Sequence, residues 1–351
     1  MFYDFIRSNF NLDLGKIIAL EAFFVVVAVF LLTLLTTRLI LPILKAKKMN
    51  QPINMYVLEH SGKSGTPTMG GICFIIASLV AMLIWILLEK LGIMGENNGR
   101  ALIPLVLTLC LGVGNGIIGF IDDYKKLIKK ENEGLNESQK LILQIVIATA
   151  YLCMMGMTGN LVTAFSIPFT SIYLELGWFA YPLYLLVIVG FVNSTNITDG
   201  LDGLASSVGV SVAVGILVMA VFASSRYTGV ASAMLMGALL GFLVFNHYPA
   251  KVFMGDTGSL FIGGIIMGCA IGEGQLISVI IMSMVFILDM LSSLWQRLYY
   301  KMTGGKRFFK RAPVHHHFQL MDWSEVKIVT VFFMVSLAFC AVGVLGTILP
   351  L

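Results

Sequence analysis

The chain has 351 residues, of which 58% are hydrophobic and only 12% are charged, and its mean hydropathy is +0.91. Water-soluble, collagen-like and disordered chains do not have this balance, so the composition indicates a helical membrane protein. The formal net charge is +4. Because the basic residues flank apolar segments, orientation in a membrane explains them better than nucleic-acid binding does.

Ten apolar segments have the length and composition of helices that cross about 30 Å of hydrocarbon. They cover residues 17–43, 69–89, 101–121, 140–158, 178–194, 204–222, 230–248, 258–272, 275–295 and 327–349. The eighth segment is short and rich in glycine, so we expect it to be tilted or broken. The first is too long for a signal peptide, so we expect the N-terminus to be retained. The sequence predicts one all-α integral membrane domain over residues 1–351.

The distribution of basic residues predicts how the spans are oriented. Most of the 23 Lys and Arg residues lie in loops that follow odd-numbered spans, namely Lys45, Lys47, Lys48, Lys63, Lys125, Lys126, Lys129, Lys130, Lys140, Lys251, Arg297, Lys301, Lys306, Arg307, Lys310 and Arg311. The other face has only Arg7, Lys16, Lys90, Arg100 and Arg226. By the positive-inside rule, the odd-numbered loops are cytoplasmic and both termini lie outside.

Two further features concern local structure rather than chemistry. Residues 165–176 are rich in β-branched and aromatic side chains with partial alternation, which predicts a short external β-hairpin between the fourth and fifth spans. The five cysteines all lie in apolar segments without any metal-binding spacing, so we interpret them as small core residues. They are Cys73, Cys110, Cys153, Cys269 and Cys340.

Two adjacent carboxylates, Asp122 and Asp123, lie where the third span leaves the membrane, directly before Tyr124, Lys125 and Lys126. Like charges this close oppose double ionisation, so either one pKa is raised or a cation lies between them. The competing interpretation is an acidic end of the helix that is paired with the following lysines.

A second polar run, residues 193–205, contains Asn193, Asn196, Asp199 and Asp202 at every third position. On a helix these side chains would share one face, and the glycines between them would permit close approach by a ligand. With no Lys or Arg in this run, the negative charge calls for a cation such as Mg²⁺, which prefers oxygen ligands. The competing interpretation is a set of turn residues.

Three more motifs lie on the predicted cytoplasmic side. Asp256, between glycines before the eighth span, suits a metal ligand, although a helix N-cap is the commoner role for such a residue. The consecutive His315, His316 and His317 lack zinc spacing, which favours contact with phosphate. The loop 60–71 offers Lys63, Thr66 and Thr68 among glycines, but it lacks the Walker order of residues.

These motifs place acidic, basic and histidine residues together at the mouth of a membrane core. Such a set is what a metal-dependent phosphoryl transfer between a soluble phosphate ester and a lipid requires, because cations neutralise phosphate while a carboxylate orients the nucleophile. The sequence therefore predicts an enzyme whose active site faces the cytoplasm.

Long motifs in a fixed order give the chain a resemblance to a known family. They are GTPTMGG (65–71), GFIDDYKK (119–126), NSTNITDGLDGLA (193–205), FNHYPAKVFMGDTGSL (245–260) and APVHHHF (312–318). With these motifs the chain resembles the polyprenyl-phosphate N-acetylhexosamine-1-phosphate transferases over essentially its whole length. The resemblance is closest to their peptidoglycan branch, the phospho-N-acetylmuramoyl-pentapeptide transferases.

The resemblance implies an activity and its partners. It implies transfer of phospho-MurNAc-pentapeptide from UDP-MurNAc-pentapeptide to undecaprenyl phosphate, with Mg²⁺ as cofactor and with lipid I and UMP as products. It also implies a homodimer in the bacterial cytoplasmic membrane, ten spans and both termini outside.

The same resemblance implies roles for individual residues. Asp122 would be the base towards the lipid phosphate, with Asp123 beside it, and Asp256 would bind Mg²⁺. Residues that match the uridine pocket are Lys63, Gly200, Leu201, Asp202, Asn246 and Phe253, the last as a ring that stacks under uracil. Residues that match positions near the ribose, the phosphates and the sugar phosphate are Thr68, Asn196, Asp199, His315, His316 and His317. Lys126 and Gln296 match further substrate positions less closely.

Some residues depart from the family pattern, and other functions stay open. Gln319, Met321 and Asp322 replace the expected Glu and Lys-Gly, which leaves the role of that loop open, and Asp289 replaces an expected glutamate.

One alternative function is that of a sister enzyme that uses UDP-GlcNAc. Another is a cation-coupled transporter with Glu21, Arg38 and Asp289 along its path. Direct attack on the β-phosphorus and a route through an aspartyl-phosphate both use the same carboxylates.

Overall fold

The computed structural model describes residues 13–47, 65–92, 99–129 and 134–349. In this part of the chain the helices are α1 (Leu14–Ala46), α2 (Gly71–Lys90), α3 (Gly99–Lys129), α4 (Glu137–Met157), α5 (Ala180–Thr198), α6 (Leu204–Phe222), α7 (Arg226–Asn246), α8 (Gly255–Gly272), α9 (Leu276–Met282), α10 (Met284–Met302), α11 (Val314–Gln319) and α12 (Glu325–Ile348). A short 3₁₀ turn, Gly177–Phe179, precedes α5.

The predicted class, a helical membrane protein, is confirmed. Over the described residues, nine helices are long and apolar enough to cross a membrane, and the bent pair α9 and α10 makes a tenth candidate. The helix ends follow local signals in the sequence. Asp13 caps α1 by accepting a hydrogen bond from the Lys16 backbone amide at 2.9 Å, and Ser324 caps α12 in the same way.

Helix α8 occupies the centre of the bundle, and every residue from Thr257 to Ile271 is buried. It is continuous, which excludes the broken alternative for this span. Its glycines permit close helix contacts instead, because a Cβ on Gly264 would overlap the backbone of Gly112 in α3, and one on Gly258 would meet Phe74 in α2. The glycine content therefore indicates close packing of a central helix.

The break occurs one segment later. Helices α9 and α10 meet at Ser283 and are bent by 76° relative to each other, and α10 continues to Met302, beyond the predicted end of the ninth span. Neither Gly nor Pro is present at this bend, so the usual sequence signal for a break is absent. In α10, Phe286 and Asp289 near the bend are buried, whereas the apolar residues Leu291, Leu298 and Met302 are exposed.

The bundle has two ends. At the acidic end, defined as the end where α3 and α5 finish and α8 begins, most of the polar motifs lie. At the opposite end, strands β1 (Ala164–Ser166) and β2 (Tyr173–Glu175) form an antiparallel pair. The hairpin is anchored there, because the Ser166 amide donates to the Gly274 carbonyl just after α8 at 3.1 Å, and the Phe169 amide donates to the Gly346 carbonyl near the end of α12 at 2.8 Å.

Candidate active site

Three carboxylates meet at the acidic end. Asp122 and Asp123 lie near the end of α3, and Asp256 lies in the first turn of α8, with one oxygen of each within 4.8 Å of the others. Gly119 makes this approach possible, because a Cβ at that position would overlap the Asp256 carbonyl. The two motifs that are far apart in sequence therefore form one cluster.

Asp123 anchors the start of α8 from α3. Its buried carboxylate accepts hydrogen bonds from the Asp256 amide at 3.2 Å, the Thr257 amide at 3.0 Å and the Thr257 hydroxyl at 2.7 Å. Asp256 is not the cap of its own helix, because the N-cap position belongs to Met254. The N-cap alternative for Asp256 is therefore wrong, and a carboxylate from another helix satisfies these backbone donors.

The carboxylate of Asp256 is held by three polar side chains. Its Oδ2 lies 2.9 Å from the Lys140 Nζ and 3.2 Å from the Lys126 Nζ, and its Oδ1 accepts a hydrogen bond from the Asn196 amide at 2.8 Å. Lys126 also pairs with Asp122 at 2.6 Å. Lys126 therefore bridges the carboxylates of Asp122 and Asp256, so the interpretation that the acidic pair is matched by the following lysines is confirmed for Asp122.

Lys140 is the residue that the sequence reasoning missed. Besides Asp256, its Nζ contacts the Asn196 side-chain oxygen at 2.9 Å, so a lysine from another helix supplies positive charge to the run 193–205, which contains no Lys or Arg of its own. The sequence does carry a signal for this residue. Lys140 and Gln144 are one turn apart on α4, and Gln144 accepts a hydrogen bond from the Asn193 amide at 2.7 Å. Both residues lie on the face that contacts α5.

The run 193–205 does not form one helical face, because α5 ends at Thr198. Asn196 points to Asp256, whereas Asp202, beyond the helix, accepts a hydrogen bond from the Ala250 amide at 2.9 Å. Asp199 lies between Asn196 and Asp202 in the sequence, directly after the last residue of α5. Burial, together with the negative charges of Asp256, Asp123 and Asp202, raises the pKa of the Asp199 carboxyl well above its usual range.

The carboxylate cluster fits a hard divalent cation. Its donors are all oxygens, which Mg²⁺ prefers, and they come from Asp122, Asp123 and Asp256. Asp199 is buried nearby, and the negative charges of Asp256 and Asp123 add to the effect of this burial in raising the pKa of its carboxyl. A cation bound by these carboxylates would compete with the Lys126 and Lys140 ammonium groups for the same oxygens.

Residues expected in a nucleotide pocket lie beside this cluster. The backbones of Phe253 and residues 67–70 pair, with bonds of 2.9 Å to the Pro67 carbonyl and 2.8 Å from the Gly70 amide. Thr68 is buried between them and next to Gly255, whose φ of +69° favours glycine. Lys63 lies outside the described residues.

Asn246, Gly200 and Leu201 also lie in this region. The Asn246 amide accepts a hydrogen bond from the Ser206 hydroxyl at 2.9 Å and donates to the Val252 carbonyl at 3.0 Å. Both ends of this side chain therefore already have protein partners, and they fix the loop that leads to Phe253. Leu201 is buried, and Gly200 faces the His315 ring, which a Cβ at this glycine would overlap.

The three histidines have three different environments. His315 is fully buried and its Nδ1 lies 2.7 Å from the Asp289 carboxylate, while its buried Nε2 has no hydrogen-bond partner within the described chain. His316 Nδ1 contacts Gln319 at 2.6 Å, and His317 Nδ1 accepts a hydrogen bond from the Lys310 amide at 3.1 Å. The three histidines therefore do not converge on one metal ion, which agrees with their lack of zinc-binding spacing.

Asp289 and Gln296 have defined positions on α10. Asp289, a carboxylate within the candidate span, faces a polar partner, because the His315 Nδ1 lies 2.7 Å from its Oδ2. Gln296 binds the backbone of the following loop, because its amide accepts from the Phe308 and Phe309 amides at 3.2 and 2.9 Å and donates to the Phe309 carbonyl at 3.2 Å. In this arrangement Gln296 shapes the loop rather than facing the carboxylates.

Fold and site together define a polytopic membrane protein with a metal-compatible carboxylate centre at one end of its bundle. The family model described as glycosyl transferase family 4 matches residues 105–273, which contain the three carboxylates. The signature described as phospho-N-acetylmuramoyl-pentapeptide-transferase signature 1 matches residues 63–75.

Relatives with this description cover almost the whole chain. The phospho-N-acetylmuramoyl-pentapeptide-transferase of Halalkalibacterium halodurans is 40% identical over 317 residues, which are 90% of this chain and 94% of the relative. Those of Bacillus subtilis and Staphylococcus aureus are 38% and 39% identical, over 92% and 89% of this chain and 96% and 95% of the relatives. The chain belongs to the phospho-N-acetylmuramoyl-pentapeptide-transferase family.

Proposed function

We propose that the chain transfers phospho-MurNAc-pentapeptide from UDP-MurNAc-pentapeptide to undecaprenyl phosphate, which gives lipid I and UMP in peptidoglycan synthesis. The observation that carries this proposal is the cluster of Asp122, Asp123 and Asp256 with two lysines at one end of a membrane bundle, in a chain of this family. A site at the membrane surface can meet a soluble nucleotide and a lipid phosphate together.

The reaction needs an oxygen of the lipid phosphate to bond to the β-phosphorus of the donor while the bond between that phosphorus and the bridging oxygen of UMP breaks. We assign Asp122 to orient the lipid phosphate and to accept its proton when it has one. Asp256, with Asp122 and Asp123, would hold Mg²⁺, which supplies positive charge next to the donor diphosphate. Lys126 and Lys140 would then be released from the carboxylates to contact phosphate oxygens.

Direct transfer and transfer through an aspartyl-phosphate both use these groups, and the proposal covers either route. In the direct route Asp122 acts on the lipid phosphate throughout. In the covalent route a carboxylate oxygen first bonds to the β-phosphorus and UMP leaves, after which the lipid phosphate displaces the carboxylate.

The donor nucleotide would bind beside the cluster. Phe253 would stack on uracil, and Lys63, Thr68, Gly200, Leu201, Asp202 and Asn246 would complete the uridine site, with Asn196 and Asp199 towards the ribose and phosphates. His315, His316 and His317 would lie at the sugar phosphate. The buried Nε2 of His315 supports this arrangement, because it has no partner among the described residues and, when protonated, could donate a hydrogen bond to a phosphate oxygen.

The proposal also concerns orientation and assembly. The Lys and Arg residues of the α10 loop, together with Lys126 and Lys140, lie at the acidic end, which supports a cytoplasmic position for the site and an external position for both termini. We propose a bacterial cytoplasmic membrane protein that assembles as a homodimer.

Release of UMP by the purified full chain tests this function. We expect Mg²⁺-dependent release from UDP-MurNAc-pentapeptide when undecaprenyl phosphate is present, and none from UDP-GlcNAc. Release from UDP-GlcNAc alone would assign the chain to the sister reaction. Release from neither donor would contradict the proposal and favour transport.

A further inference from the structure

A basic cavity lies next to the candidate active site. Its volume is about 980 Å³, and it lies between α10 and the loop that leads to α11. Five cationic side chains line it, Arg297 and Lys301 from α10 and Arg307, Lys310 and Arg311 from the loop. This volume is in the range of about 300–1,000 Å³ that is usual for ligand pockets.

Within the described residues, no acidic side chain neutralises the positive charge of this basic cavity. In the part of the chain that the structure describes, no carboxylate lies within ion-pair distance of any of the five cations. Among the described residues, the only side-chain hydrogen bond of these five cations is from the Lys310 Nζ to the Leu320 carbonyl, at 2.9 Å. Five unpaired cations around one concave space form a field that attracts an anionic ligand.

The positive-inside rule explains why this loop is basic, but it does not explain a cavity. The loop is held in place by the Gln296 side chain, which makes three hydrogen bonds to the Phe308 and Phe309 backbones. The cavity is therefore formed before a ligand arrives, and the cost of ordering the loop on binding is small.

The position of the basic cavity links it to the site. Ile197 lines it on one side, and the preceding residue, Asn196, donates a hydrogen bond to Asp256. Pro313 lines it on another side, two residues before the buried His315. A ligand whose phosphates lie at the carboxylate cluster can therefore extend into the basic cavity.

We infer that the basic cavity binds the carboxylates of the donor's peptide. This inference rests on the proposed function, in which the donor carries a peptide beyond its nucleotide and sugar. A peptide ends in a carboxylate, and each acidic residue adds another. Arg and Lys bind carboxylates through charge-assisted hydrogen bonds, and the planar Arg side chain can bind both oxygens. The cavity would select donors that carry the peptide over sugar nucleotides that lack it.

Steady-state kinetics with two donors test this inference. The first donor is UDP-MurNAc-pentapeptide, and the second is the same molecule with its peptide carboxylates converted to amides. Arg311→Gln and Lys301→Gln each remove one cation from different sides of the basic cavity. Lys306→Gln is the matched control, because Lys306 belongs to the same loop but does not line the cavity.

We expect each cavity variant to raise the KM for the natural donor about tenfold, the size of one lost charge-assisted contact, with little change in kcat. The KM of the wild type should be higher for the amidated donor than for the natural donor. With the amidated donor, the cavity variants should have the same KM as the wild type. Arg311→Lys keeps the charge and retains most of the affinity, and Lys306→Gln matches the wild type for both donors.

Equal increases in KM for both donors would overturn the inference, because the cavity would then bind phosphates or membrane lipid instead. An unchanged KM in both cavity variants would also overturn it, provided that each variant elutes as the wild type does on gel filtration. In either case wild-type turnover would still support the proposed function. Absence of wild-type turnover with every donor would refute the proposed function, and the inference with it.

Discussion

Buried charges occur at both ends of the bundle, but they are arranged differently. At the opposite end, the Arg226 guanidinium binds both oxygens of Glu21, at 2.8 and 2.9 Å, and lies 3.5 Å from Glu89. Its guanidinium carbon lies 5.0 Å from the centre of the Trp85 ring, and the Trp85 indole donates to Glu21 at 2.8 Å. At the acidic end, the ammonium groups of Lys126 and Lys140 contact two of the three clustered carboxylates, Asp122 and Asp256.

The charged residues at the opposite end have a structural role, whereas those at the acidic end are arranged for catalysis. A planar guanidinium held by two bonds and a ring is fixed, and it joins α1, α2 and α7. An ammonium group is a point charge on a flexible chain, so another cation can replace it without rearranging the backbone. Glu21 is therefore part of a structural pair, which removes one of the residues that the transporter alternative needs along a path.

The largest expected effect is that of Asp122→Asn on catalysis. The substitution removes the charge next to Lys126 but leaves α3 and α8 joined through Asp123. We expect turnover to fall about a thousandfold with unchanged thermal stability, because the carboxylate that orients the lipid phosphate and accepts its proton is lost. UMP release and a thermal melt measure both quantities.

Asp13→Asn is the control for this substitution, since Asp13 is an exposed carboxylate at the start of α1. It should leave turnover unchanged. Wild-type turnover in well-folded Asp122→Asn protein would remove Asp122 from the proposed chemistry.

The second-largest effect is expected on stability, from a substitution at the opposite end of the bundle. Arg226→Met leaves the carboxylates of Glu21 and Glu89 buried without their cation, so we expect the free energy of unfolding to fall by about 3–5 kcal/mol. Turnover per folded molecule should stay within about twofold of the wild type, because the acidic end is untouched. Unfolding in a denaturing detergent and UMP release provide the two measurements. A stable variant without turnover would contradict the structural role of this cluster.

A smaller effect is expected from Asp289→Asn, which keeps the size of the side chain but removes the negative charge beside His315. The imidazole would lose the group that fixes its orientation, and we expect kcat to fall about tenfold to a hundredfold while KM changes little. Asp289→Glu should recover part of the rate. Equal rates in Asn and Glu variants would indicate that the pair only packs the two helices.

The smallest effects concern the packing that brings the carboxylates together. A Cβ on Gly119 would overlap the Asp256 backbone, whereas a Cβ on Gly190 would meet no atom within 4 Å. We expect Gly119→Ala to lower both thermal stability and turnover. Gly190→Ala, its matched control in α5, should raise stability by about 0.5–1 kcal/mol, the usual helix preference of Ala over Gly. Similar melts for both variants would show that the close approach is not required.

Much of the fold can be predicted from the sequence, because hydropathy reports directly which segments prefer lipid. The sixth span, for example, is predicted at residues 204–222 and found as Leu204–Phe222. The bend at Ser283 and the continuity of α8 were not predictable in this way. Both depend on which helix lies in the centre, and that is a property of tertiary packing.

Individual residues of the candidate site could be predicted from the sequence, but the contacts between them could not. Motif chemistry identifies Asp122, Asp123 and Asp256, yet their contact depends on Gly119, which lies three residues before the acidic pair. Lys140 was assigned only to membrane orientation, because a single lysine at the start of an apolar helix resembles any other flanking charge. Its contact with Asp256 joins α4 to α8, and the one-turn spacing from Gln144 indicates a shared polar face without revealing that partner.

The most direct test of the account is a Mg²⁺ titration of UMP release from UDP-MurNAc-pentapeptide, with undecaprenyl phosphate present, for the wild type and Asp256→Asn at equal folded concentration. We expect the rate of UMP release by the wild type to rise with Mg²⁺ concentration and to saturate. The rate of the Asp256→Asn variant should be at least about a thousandfold lower at every Mg²⁺ concentration. A wild-type rate that persists in excess chelator, or an Asp256→Asn rate near that of the wild type, would contradict the account.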